Sequence, residues 1–181
     1  MNLRPLLAAP LLAATCVPAH AQMEGLDRQQ MEVAVTYVLP IAFESFATTC
    51  RARLAPDGFL ARNEGRLQQR FMSAADGTWP KAREVVVGLG ERKAAEAGQA
   101  DAFRAMKMLP DESLRPFVDG MISASIAKEI KPASCADIEE GLRLFDPLPV
   151  TNLAKIAGFL FEIMERDKPA ERQPGKTGKT Q

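Results

Sequence analysis

The sequence predicts an all-α fold, a compact bundle of six or seven helices stapled by one disulfide between Cys50 and Cys135. Helix-favouring residues, above all Ala, Leu, Glu, Arg, Gln and Met, recur along the chain. Alternating apolar and polar runs, which are typical of strands, do not recur, and only positions 85–87 resemble a strand locally. Short turns containing Pro or Gly separate the helical segments, as in a bundle of neighbouring helices.

Seven segments carry helical patterns. The expected helices span about residues 27–54, 57–75, 78–98, 101–108, 111–131, 135–145 and 151–166. The third begins with Pro80 in its first turn, where no backbone donor is lost. Ser134 and Asp137 predict a capping box at the start of the sixth helix. Thr151 or Asn152 is expected to cap the seventh.

Apolar side chains at helical spacing predict the core of the bundle. Most of the Met and Phe residues are expected to belong to it, namely Met72, Met106, Met108, Met121, Met164, Phe103, Phe117, Phe145, Phe159 and Phe161. The seventh helix is apolar on most of its circumference between Leu153 and Met164, so it is expected at the centre of the bundle. Exposure of part of that helix would instead indicate a partner groove or a lipid-binding face.

The first 21 residues have the features of a secretory signal peptide. Arg4 precedes an apolar run, and a small-x-small cleavage site follows it. Cleavage between Ala21 and Gln22 is expected to release the protein into the periplasm or the medium. The alternative is a lipoprotein signal with Cys16 lipidated, although the residues before Cys16 fit that pattern poorly.

Residues 22–167 are expected to form one helical domain, and residues 168–181 a disordered basic tail. No second membrane segment is expected, because the most apolar later stretch, 156–164, contains Glu162 and is far shorter than the roughly 20 residues that a span needs. The full sequence balances 23 Lys and Arg against 23 Asp and Glu. Nucleic-acid binders usually carry a strong basic excess, so this balance argues against that class of protein.

Of the three cysteines, the mature chain is expected to keep Cys50 and Cys135. In an oxidising compartment two such cysteines most simply form one structural disulfide. A bond between Cys50 and Cys135 would close a loop of 86 residues. In the chain-entropy model, closing such a loop stabilises a fold by about 4–5 kcal/mol. A reactive pair of thiols is disfavoured, because the Cys-x-x-Cys spacing is absent and no histidine remains to activate a thiolate.

No catalytic, cofactor or metal site is expected. The only histidine, His20, lies in the predicted signal peptide, so triads and metal sites that need histidine are excluded from the mature chain. Acidic residues cluster at three places, which are Asp111 with Glu112, Asp137 with Glu139 and Glu140, and Glu162 with Glu165. Carboxylates favour the first turn of a helix and solvated faces, so these clusters do not require a catalytic role.

Arg62, Arg66 and Arg70 form a positive stripe on the second predicted helix, at four-residue steps. Like charges at this spacing repel each other mildly unless something neutralises them. One interpretation is pairing with carboxylates of a neighbouring helix. The other is a docking face for an acidic partner or an anionic component of the cell envelope, since guanidinium groups suit carboxylates and phosphates.

Taken together, these features predict an exported, non-enzymatic helical protein that acts by binding. The expected partner is another protein of the cell envelope or an anionic envelope component, contacted through the arginine stripe or the last helix. The first alternative function is carriage of a small apolar ligand within the bundle, for which flexible Met side chains are suited. The second alternative is a carboxylate-dependent hydrolase, which would need a cleft with converging acidic residues of raised pKa.

Overall fold

The structure is a computed structural model that describes residues 26–167. The predicted signal peptide with its cleavage site and Cys16, and the predicted basic tail 168–181, lie outside the described residues. Within the described range the chain forms seven α-helices and no strand, which confirms the predicted all-α bundle. The helices are α1 (Arg28–Cys50), α2 (Phe59–Ala75), α3 (Trp79–Glu96), α4 (Ala100–Lys107), α5 (Asp111–Glu129), α6 (Cys135–Phe145) and α7 (Val150–Arg166).

Helix α1 is the axis of the bundle, because α2, α3, α5 and α7 all pack against it. It begins with a capping box in which the Asp27 carboxylate accepts from the Gln30 backbone N–H at 2.7 Å and the Gln30 amide oxygen accepts from the Asp27 N–H at 2.9 Å. The helix continues through Pro40 to Cys50. These contacts make α1 the element that positions every other long helix.

Three clusters of buried side chains follow one another along α1. The first, near the carboxyl end of α1, joins it to α2, the start of α6 and the start of α7, and includes Phe43, Phe46, Cys50, Leu60, Leu67, Phe71, Cys135 and Val150. The second joins the middle of α1 to α3 and α5 through Tyr37, Trp79, Ala82, Leu114 and Val118. The third gathers Leu26, Met31, Val85 and Phe161 at the amino end of α1. Since the start of α7 lies in the first cluster and Phe161 in the third, α7 runs antiparallel to α1.

One segment of residues 26–167, Arg28–Arg53, is long and apolar enough by length and composition to cross a membrane. It consists of α1 and the 3₁₀ turn Arg51–Arg53. Because four helices pack around α1 and its side chains contribute to all three core clusters, we interpret its apolar character as that of a core helix.

The predicted disulfide is present and joins the last residue of α1 to the first residue of α6. Cys50 and Cys135 have their Cα atoms 5.5 Å apart and are separated by 85 positions in the sequence. Both are fully buried in the first core cluster, with exposed fractions of 0% and 2%. This burial is typical of a structural cross-link that solvent thiols do not reach.

Two predicted helix caps are wrong. Ser134 ends a 3₁₀ turn with helical backbone angles, φ −87° and ψ −5°, whereas a capping residue is extended, and its side chain makes no cap hydrogen bond. Helix α7 begins directly after Pro149, ahead of the expected caps Thr151 and Asn152. A cap that sequence inspection missed comes from Glu139 of α6, whose carboxylate accepts from the Leu60 backbone N–H at 2.7 Å.

The expectation that most Met and Phe residues lie in the core is also wrong. Seven of the ten side chains expected in the core are exposed, and they are Met72, Met108, Met121, Met164, Phe117, Phe145 and Phe159. The seventh helix is not central either, because it packs mainly on α1 and leaves one side of its surface outside. Its position makes α7 a candidate functional element.

Candidate functional site

The arginine stripe of α2 faces the turn between α6 and α7. Arg66 donates to both carboxylate oxygens of Asp146, at 2.9 Å to Oδ1 and 2.7 Å to Oδ2. Arg70 donates to Oδ1 of the same carboxylate at 2.9 Å, to the Asp146 backbone oxygen, and to the Leu148 backbone oxygen at 3.2 Å. Hydrogen bonds from Arg66 and the nearby positive charges hold the pKa of Asp146 below its usual range.

Arg62, the third member of the stripe, donates to the backbone oxygen of Asp57 at the start of its own helix. The structure therefore supplies partners within the chain for all three guanidinium groups, and two of them share one carboxylate. Arg66 and Arg70 thus bond a carboxylate, as in the pairing interpretation of the stripe, whereas Arg62 bonds a backbone oxygen. The role of Arg62, Arg66 and Arg70 in binding a partner remains a prediction.

The inner side of α7 consists of small residues followed by an aromatic one. Ala154, Gly158 and Phe161 are buried. At Gly158 the approach to α1 is so close that a Cβ atom there would lie 2.8 Å from Glu32 Cγ and 3.0 Å from the Arg28 backbone oxygen. Helix α7 is thus held against α1 along one narrow stripe, and the rest of its circumference is free to carry other side chains.

The outer side of α7 carries six large apolar side chains, Leu153, Ile156, Phe159, Leu160, Ile163 and Met164, which we call the α7 apolar face. At 100° per residue they fall within an arc of about 140° around the helix axis. Four of them are about half exposed, with fractions of 45% for Ile156, 49% for Phe159, 52% for Leu160 and 44% for Met164. Contiguous exposed apolar patches of this kind are typical of interaction surfaces in other proteins.

Cations border the α7 apolar face on the side of Phe159. Lys155 and Arg166 lie within about 40° of Phe159 around the axis, and within residues 26–167 Lys155 has no carboxylate partner. The Arg28 guanidinium lies over the Phe159 ring at 5.8 Å from its centroid and pairs with Glu32 and with Glu162, at 3.1 Å and 3.5 Å. The apolar arc itself contains no acidic residue.

A partly buried polar cluster lies where α1, α3 and α5 meet, with Tyr37 buried and Arg115 exposed. The Tyr37 hydroxyl donates to the Asp119 carboxylate, and burial together with this bond raises the pKa of the phenol well above its usual range. Arg115 stands 5.9 Å from the centroids of both Tyr37 and Trp79. The Tyr37 phenol stays protonated and links α1 to α5 through its bond to Asp119. Its ring also packs against Trp79 of α3, with ring centroids 5.4 Å apart, so this cluster suits a structural role.

The acidic clusters have structural partners in the described part of the chain. Asp111 pairs with Arg83 at 2.9 Å, Glu139 caps α2, and Glu140 accepts from Arg143 at 2.8 Å. Among residues 26–167 no group of three or more His, Cys, Asp or Glu side chains is placed to hold a metal ion.

The surface of the described residues includes two open grooves of similar size. One, of about 580 Å³, runs beside Pro40 and is lined mostly by residues of α2, including Gln68, Gln69 and Ser73. The other, of about 500 Å³, lies between α5 and α6 and is lined by Ile126, Ile130 and Ile138 with Ser125, Glu129 and Ser134. The second groove has the more apolar wall.

Comparisons of the chain with protein-family models, with curated proteins and with solved structures find no match.

Proposed function

We propose that this chain is an exported, non-enzymatic binding protein that attaches to another component of the cell envelope through the α7 apolar face. The observation that carries the proposal is the exposure of Ile156, Phe159, Leu160 and Met164 together on one side of one helix. Leaving these side chains in water forfeits the burial that most Leu, Ile and Phe side chains obtain within a fold, about 1.5–3 kcal/mol each when complete. A partner that covers them would recover part of that free energy.

Export is the second part of the proposal. The Cys50–Cys135 disulfide supports it, because such cross-links persist in oxidising compartments. The signal peptide predicted over residues 1–21 supports it independently. The partner is therefore sought among envelope components.

The test uses a photo-crosslinking amino acid at position 156, introduced into the protein in its exporting host. We expect an adduct, identified by mass as a defined protein or lipid, that disappears when Leu160→Glu is added. Met121→Glu is the matched control, because Met121 lies on α5 and is 55% exposed against 52% for Leu160. Absence of an adduct at position 156, or an adduct that both glutamate variants leave unchanged, would refute binding through α7.

Carriage of a small apolar ligand is the second candidate function. The groove between α5 and α6 favours this function, because it has a volume of about 500 Å³ and its lining includes Ile126, Ile130 and Ile138. Native mass spectrometry of protein purified from its own compartment distinguishes the two functions. A co-purified small molecule supports carriage, and a chain that co-purifies with a protein partner supports attachment.

A further inference from the structure

We propose that α4 is a strap that leaves α3 and returns to it while the rest of the bundle stays folded. This inference goes beyond the proposed function, because α4 packs mainly on α3 and takes no part in the α7 apolar face. Three observations carry it, namely the shallow burial of α4, the aromatic contact that seats it and the turns that bound it.

Helix α4 is the least buried helix of the described chain. Of its side chains that the structure describes, none is fully buried, whereas each of the other six helices has at least one buried side chain. Its inner side is formed by Phe103 and Met106, which are partly buried, and Met106 packs against the second core cluster. Apolar burial is the main favourable contribution to the docking of a helix, so α4 is held more weakly than its neighbours.

The contact between α4 and α3 centres on Phe103 and Gly90. The Phe103 ring lies so close to Gly90 that a Cβ atom at position 90 would overlap Cε2 and Cζ of the ring. Any residue larger than glycine at this position would therefore push the ring away from α3. Seating of the strap thus depends on the absence of a side chain at position 90.

The polar bonds that the structure describes for α4 are exposed. The Lys107 ammonium bonds the Glu91 carboxylate of α3. These two side chains are 35% and 53% exposed, and exposed ion pairs of this kind contribute little to stability. Arg104 pairs with Asp101 at 3.0 Å, but both residues belong to α4, so their bond does not hold the helix to its neighbours.

Turns bound α4 at both ends. Gly98 precedes the helix with φ +68°, in the left-handed region that favours glycine, and Pro110 follows it as the N-cap residue of α5. Helix α4 can therefore move without carrying α3 or α5 with it. Its eight residues are fewer than the roughly 12–15 that an isolated helix needs in water, so α4 loses its own hydrogen bonds when it leaves α3.

Release of the strap uncovers apolar surface. The part of α3 around Gly90 loses the cover of the Phe103 ring, and the second core cluster loses its contact with Met106. The strap thus controls the access of solvent and of small molecules to the outer side of that cluster.

The test is native-state hydrogen exchange of the full-length mature protein, measured by mass spectrometry on peptides from α4 and α5. We expect the α4 amides to exchange about 100-fold faster than the interior amides of α5, because the strap opens without the bundle. Gly90→Ala should accelerate exchange of α4 by about a further 10-fold and leave α5 unchanged, because the new Cβ displaces Phe103.

Gly88→Ala is the matched control for this substitution. Gly88 lies in the same helix and has no heavy atom within 4 Å of the position that a Cβ would take. We therefore expect exchange of α4 in Gly88→Ala to match the wild type. Phe103→Ala is a second variant, which removes the ring and leaves its seat intact, and it should accelerate exchange of α4 without affecting α5.

Three results would overturn the inference. Equal exchange rates of α4 and α5 in the wild type would show that α4 opens only with the whole bundle. A Gly90→Ala variant whose α4 exchanges like that of Gly88→Ala would show that the Phe103 contact does not seat the strap. A Phe103→Ala variant in which α5 loses protection together with α4 would show that the two helices open as one unit.

Discussion

The contact between α7 and α1 predicts that Gly158→Ala lowers stability, although alanine favours helices more than glycine does. In an exposed helix the same substitution raises stability by about 0.5–1 kcal/mol. At Gly158 the new Cβ would meet Glu32 Cγ at 2.8 Å and the Arg28 backbone oxygen at 3.0 Å. Carbon atoms prefer separations of about 3.5–4.0 Å, so α7 has to move away from α1.

The magnitude follows from the two opposing effects. Insertion of one carbon into a well-packed contact costs about 1–3 kcal/mol, and the gain in helix propensity offsets about 1 kcal/mol of it. The Arg28 oxygen belongs to the backbone of α1, so it cannot turn away as a side chain would. We therefore expect a net loss of about 1 kcal/mol, which lowers the Tm of a domain of this size by about 2–4 °C.

The assay is thermal unfolding followed by circular dichroism, with Gly120→Ala as the matched control. Gly120 lies within α5, is exposed, and has no heavy atom within 4 Å of the position that a Cβ would take. Gly120→Ala should therefore raise the Tm while Gly158→Ala lowers it. If both substitutions raise the Tm equally, α7 does not pack on α1 at the distance described, and the assignment of its inner and outer sides fails.

Two further predictions concern the disulfide and the Asp146 carboxylate. Cys50→Ser and Cys135→Ser should each lower the free energy of unfolding in urea by about 4 kcal/mol, and the double variant by no more, whereas clearly unequal losses would contradict a purely structural bond. Asp146→Asn should cost about 1 kcal/mol at pH 7 by weakening the bonds from Arg66 and Arg70. Because the pKa of Asp146 is lowered in the fold, this difference from the wild type should be complete above about pH 4 and vanish as the pH falls through the lowered pKa. A difference that persists unchanged at pH 2 would refute the role of the carboxylate charge.

The helices were predictable because their boundaries depend on neighbouring residues. The sixth helix, for example, begins at Cys135 and ends at Phe145 as expected. The disulfide was predictable for a different reason, since only two cysteines follow the expected cleavage site. These features depend on local periodicity and on counting, and both can be read from one sequence.

The surroundings of each helix were not predictable in the same way. The apolar circumference of α7 suggested a central position, but periodicity states which side chains are apolar and not how many helices cover them. Similarly, nothing near Arg66 indicates that Asp146, 80 positions away, is its partner. Ser134 failed as a cap because the preceding 3₁₀ turn fixes its backbone in a helical conformation.

The position of the disulfide in the chain also affects how the bundle opens. The covalent loop between Cys50 and Cys135 encloses α2, α3, α4 and α5, whereas α7 follows the loop. Local unfolding of α7 therefore requires only the loss of the contacts that α7 itself makes. The disulfide still restricts the conformations of the loop from Cys50 to Cys135 while α7 is unfolded. Helix α7, which carries the proposed interaction surface, can therefore leave α1 without any opening of the covalent loop.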